Sequence, residues 1–77
     1  MNAKRKEQLS KLASEIEELK SKVEDIQSEE QEYYDNVPEN LQSSERYETS
    51  EQSLERLDEA VNNLEAAFDS LMEIVEG

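Results

Sequence analysis

Tyr33-Tyr34-Asp35-Asn36-Val37-Pro38-Glu39-Asn40 interrupts a chain that otherwise reads as helix from end to end. Pro38 has no backbone N–H, and its ring clashes with the preceding turn, so no continuous helix runs through it. Asp35 and Asn36 suit the start of a new turn whose opening holds the proline and Glu39. The spacing predicts a short helical turn over 37–42, with Val37 and Leu41 tucked under the tyrosines. Around this break the apolar residues mirror one another about Asn40. Leu9 matches Leu71, Leu12 matches Phe68, and Ile16 matches Leu64. Leu19 matches Val61, Val23 matches Leu57, Ile26 matches Leu54, and Tyr33 matches Tyr47. Two antiparallel helices joined by one tight loop require such a mirror, because each core side chain then meets a partner at its own height.

Both arms carry a heptad pattern. Residues 9, 12, 16, 19, 23 and 26 alternate spacings of three and four, which places 9, 16 and 23 at position a and 12, 19, 26 and 33 at position d. The second arm repeats the pattern at 54, 57, 61, 64, 68, 71 and 75, with 54, 61, 68 and 75 at a. Ser43 or Ser44 caps this arm, and Glu45 and Glu48 favour its first turn. The fold class predicted is all-α, an antiparallel two-helix coiled-coil hairpin forming one domain over 1–77. Helix 1 runs over about 3–34, the loop over about 35–43 and helix 2 over about 44–76, each helix about 45 Å long.

Residue composition narrows the function classes. The chain has 77 residues, no cysteine, no histidine and one glycine, at position 77. Disulfides, thiolate metal sites, histidine general bases and glycine-rich phosphate loops are therefore not expected. The run from Asp35 to Asn40 lacks the alternating acids and central glycine of a calcium-binding EF-hand. A di-iron bundle needs Glu-x-x-His motifs, which a chain without histidine does not contain. A two-helix seam has no room for a dry, concave active site, so we expect no enzyme, no cofactor and no metal. The start Met1-Asn2-Ala3-Lys4-Arg5-Lys6 and the lack of any long apolar run argue against a secretory signal or membrane span, with the cytoplasm as the expected location.

Charge is the second strong feature. Twenty-one acids face eight bases, a net of −13. Such a surface repels nucleic acid and anionic lipid and attracts basic proteins. Across the seam, Glu30 falls opposite Ser50, with Arg46 one turn away as a candidate partner and a polar layer as a register-setting device. The antiparallel arrangement sets Lys4, Arg5 and Lys6 beside Glu73 and Glu76, and Lys20 beside Asp58.

Helix 2 shows a wider apolar stripe than helix 1, because Ala60, Ala67 and Ile74 occupy position g. Alanine every seventh residue lets another helix approach closely. The expected assembly is a two-fold homodimer, a four-helix bundle with the second helices at its centre and an interface of Ala60, Ala67, Phe68, Leu71 and Ile74. Tyr33 and Tyr47 are expected to plug the hairpin end. Tyr34 is then the exposed member of a candidate partner-binding tip with Asn36, Pro38 and Asn40.

The run Tyr33-Tyr34-Asp35-Asn36-Val37-Pro38-Glu39-Asn40-Leu41-Gln42, followed by Ser44-Glu45-Arg46-Tyr47-Glu48 and a leucine–alanine heptad helix, resembles small acidic helical proteins of prophages and Gram-positive bacteria. The resemblance covers about residues 30–76. It implies a hairpin of phage or mobile-element origin and no established activity.

Two functions follow. The first is a non-enzymatic, self-associating interaction module. The alternative is a nucleic-acid mimic of the anti-restriction or anti-CRISPR kind, inhibiting a DNA- or RNA-binding enzyme. Duplex DNA carries one charge per about 1.7 Å of axis, and carboxylates such as Glu51, Glu55, Asp58 and Glu65 form a row able to imitate part of that field. Neither reading involves direct nucleic-acid or membrane binding.

Overall fold

The computed structural model describes residues 1–77 and contains two long helices joined by one short turn. Helix α1 spans Ala3–Asp35, a 3₁₀ turn covers Glu39–Leu41, and helix α2 spans Glu45–Glu76. The helices lie antiparallel along their whole length and form a rod of 59 × 14 × 13 Å. The chain is thus an all-α helical hairpin. No helix is long and apolar enough to cross a membrane.

Each helix end has a local cause. The Asn2 side chain accepts a hydrogen bond from the Arg5 backbone N–H at 2.8 Å, which satisfies one of the donors left free in the first turn of α1. Ser44 does the same for α2, its Oγ accepting from Tyr47 N–H at 3.2 Å, and Glu45 and Glu48 complement the helix dipole there. Asn36 works in the opposite sense to the sequence expectation. It closes α1 instead of opening a new turn: its backbone N–H and its side-chain Nδ2 both donate to the Glu32 carbonyl. The end of a long helix offers free carbonyls, and an asparagine there satisfies one more directly than it caps three residues of 3₁₀ turn. Pro38 precedes that turn in extended conformation, and its carbonyl accepts from Leu41 N–H at 2.9 Å. Val37 is half-buried, whereas Leu41 is exposed and does not tuck under the tyrosines.

The seam departs from the predicted one on the α1 side. The buried and half-buried residues of α1 are Lys6, Leu9, Ser10, Ala13, Ile16, Lys20, Val23, Gln27, Glu30 and Tyr34, at positions a and e except for Ser10 at b. On α2 the inward residues follow a and d as expected, joined by Ser53 and Ala60 at g and Met72 at e. Helix α1 is therefore rotated about its own axis. Its d residues Leu12, Leu19, Ile26 and Tyr33 move to the flank and remain 49, 51, 57 and 47% exposed. The core is correspondingly thin. Only Ala13, Val61 and Ser50 are buried, and Ala13 is completely so. A small side chain at position e lets the helices close on that flank, where leucine would hold them apart.

Candidate interaction surfaces

The rotation gives the hairpin a closed flank and an open flank. On the closed flank, Tyr34 stacks on Tyr47 with ring centroids 4.4 Å apart and planes 12° from parallel. Offset stacking of this kind contributes about 0.5–1.5 kcal/mol beyond the area buried. Tyr34 is thus the plug of the hairpin end and Tyr33 its exposed neighbour, the reverse of the sequence expectation. The same flank holds an ion pair between Lys20 Nζ and Glu65 Oε1 at 4.0 Å. Lys20 therefore pairs two turns further along α2 than Asp58, with the next carboxylate at position e.

The adjacent Tyr47 side chain is the main cause that pushes the Tyr34 phenol up to about 12, helped by desolvation and by the Glu51 and Asp35 carboxylates. Folding therefore favours its neutral form. The stabilisation is present below pH 10 and is lost as the pH rises through about 12. Ultraviolet titration at 295 nm is expected to show one tyrosine ionising last, near pH 12, with Tyr34→Phe removing that final step. If the variant keeps the late step, the assignment is wrong.

Between the flanks sits the polar layer. Ser50 Oγ donates to Glu30 Oε1 at 2.5 Å. Glu30 therefore finds its partner in the serine directly opposite, and Arg46 makes no ion pair with it. A carboxylate this close to the seam needs a donor, and the buried hydroxyl supplies one at no cost in charge.

The open flank carries the row Leu12, Leu19, Ile26 and Tyr33, three heptad steps long, or about 32 Å. Ile26 shares a shallow open groove with Gln52, Ser53, Arg56 and Leu57 of α2. The row therefore lies beside the g positions of α2, and the antiparallel register carries the juxtaposition on toward Ala60 and Ala67. Ala67 and Ile74 are exposed and Ala60 is half-buried, whereas Phe68 and Leu71 turn into the hairpin seam. The large exposed apolar side chains thus belong mostly to α1. The heptad frame left them out because it placed every d residue in the core.

At the tip, Asn36, Pro38 and Asn40 are exposed, and Tyr34 stands apart from them in its stack. Glu51, Glu55, Asp58 and Glu65 are all exposed on the closed flank and the back of α2, with Glu65 engaged by Lys20. No three acidic side chains converge as a metal-binding group would require. Lys4, Arg5, Lys6 and Lys11 form no ion pair, so the expected contacts of the first three with Glu73 and Glu76 are not made.

Taken together, these features define an acidic antiparallel helical hairpin with one flank sealed by small and aromatic residues and the other presenting an apolar row. Compared with protein-family models, curated proteins and solved structures, the chain matches none.

Proposed function

We propose that the protein works without catalysis, as a self-associating helical-hairpin interaction module. The observation that carries this reading is the row of four large apolar side chains at heptad spacing, each about half exposed, on one flank of α1. Scattered apolar residues on a surface are ordinary, but four in register on one flank, one every second turn, form a heptad seam without a partner helix. The small core supports the same reading. A chain of this length with three buried residues gains stability by mass action when a second surface covers its open side. A two-fold dimer of hairpins would make a four-helix bundle. An origin in a prophage or other mobile element is in keeping with the loop resemblance.

A second reading has its own observation. The exposed carboxylates Glu51, Glu55 and Asp58 lie away from the apolar row, so association need not cover them. In that reading the protein occupies the basic channel of a nucleic-acid enzyme.

Sedimentation velocity and thermal melting across a hundredfold concentration range test the first reading. The expected result is a dimer mass at micromolar concentration and a melting temperature that rises with concentration. A monomer mass throughout, with a concentration-independent melt, would reject self-association. Salt-sensitive competition with duplex DNA for a basic enzyme would then favour the mimic.

A further inference from the structure

We infer that the occupant of the open flank is a second copy of this chain, laid head to tail, so that the loop end of each hairpin lies against the terminal end of the other. The inference rests on the self-association reading above and adds the orientation. Its basis is the uneven charge around the row. At the Leu12 end the row is bordered by Arg5 and Lys11, with Glu15 as the one acid of that groove. At the Tyr33 end it is bordered by Glu29, Glu30, Glu32 and Glu45, with Arg46 as the one base. The apolar strip therefore has a basic pole and an acidic pole. A two-fold axis perpendicular to the rod, passing near the middle of the strip, brings each pole of one copy onto the opposite pole of the other. It also sets Leu12 level with Tyr33 of the second copy and Leu19 level with Ile26.

Helix electrostatics favour the same orientation. Lys4, Arg5 and Lys6 occupy the first two turns of α1, where the helix dipole already presents positive charge. Glu32 and Asp35 occupy the last turn, where it presents negative charge. Neither group finds an opposite charge on α2. In the register above, Lys11 of one copy falls level with residue 34 of the other, between Glu32 and Asp35, and Lys4, Arg5 and Lys6 fall level with its turn, where Glu39 lies. A parallel arrangement would instead stack the loop halves, and residues 19–61 hold thirteen acids and four bases, a net of −9 per copy. Residues 1–18 and 62–77 hold eight acids and four bases, a net of −4.

The apolar strip runs about 32 Å along the rod, and the two-fold lays the whole of that length against its mate.

Pulsed electron spin resonance on singly labelled protein reads the orientation. A nitroxide at Ser43→Cys, exposed beside the turn, is expected to lie about 45 Å from its symmetry mate, given 1.5 Å of rise per residue from the strip's centre. A nitroxide at Ser21→Cys, exposed near that centre, is expected at about 20–35 Å from its mate on the same geometry. A Ser43 distance below about 30 Å in a protein of dimer mass would overturn the head-to-tail arrangement while leaving self-association standing. A monomer mass with no intermolecular distance at either site would remove both.

Discussion

Glutamate at both Leu19 and Ile26 is expected to convert the protein to a monomer while leaving it helical. Each side chain is about half exposed in the hairpin, so each retains roughly half its surface for a second copy to cover. Burying that remainder contributes about 1 kcal/mol per side chain at 25 cal/mol per Å². A two-fold interface contains each residue twice, so the double substitution removes about 4 kcal/mol and adds four carboxylates to an already acidic surface. The dissociation constant should rise at least a hundredfold, and about a thousandfold by this accounting. Helicity by circular dichroism should persist and no longer vary with protein concentration, because neither side chain is part of the inward stripe. The control is Glu55→Gln with Glu59→Gln, exposed on the outer face of α2. It should leave association unchanged or slightly strengthened. If the Leu19/Ile26 double variant sediments like its parent, the open flank is not the interface.

Aspartate at Val61 is expected to unfold the chain altogether. Val61 is the one large apolar side chain that the hairpin buries, and it sits near the middle of α2. The change removes an apolar contribution of about 1.5–3 kcal/mol and places a carboxylate where no donor waits. An uncompensated buried charge costs on the order of 3–5 kcal/mol. The sum exceeds what a hairpin with so thin a core holds in reserve. Val61→Ala gives the graded comparison. It should lower stability by about 2 kcal/mol, read as a fall in the urea midpoint without a change in slope. A Val61→Asp chain that keeps its helical signal at 222 nm would mean that the seam contributes little to folding.

The contrast between these two positions shows where sequence pattern suffices and where it stops. Pro38, the mirrored apolar residues and the serine cap of α2 placed both helices to within one residue of their observed ends. Those signals are local, or depend only on symmetry about one break. The rotation of α1 is a different matter. A heptad pattern says that a and d are apolar, but it does not fix how far a helix turns about its axis when position e can also be packed. Here position e holds Ala13, Lys20, Gln27 and Tyr34. Alanine permits close approach, tyrosine finds a ring to stack on, and lysine and glutamine bury their stems while their heads stay wet. Together they draw the helix round by one position. The fully buried alanine at 13 and the tyrosine at 34, both at e, were the available signals.

That displacement also reassigns the candidate interface. The alanines of helix 2 attracted notice because they repeat every seven residues, yet a methyl group covers little surface. The larger apolar side chains left in water are those the pattern had already spent on the core. The same geometry explains the tyrosines, since rotation carries Tyr34 into the plug and Tyr33 onto the strip.

The rod's length has an electrical consequence. At physiological ionic strength the Debye length is about 8 Å, so the two ends of a 59 Å body are screened from one another several times over. An approaching molecule therefore does not respond to the net charge of −13 as a whole. It meets either the strongly anionic turn or the more balanced pole where the chain begins, and the two encounters differ in rate and in salt dependence.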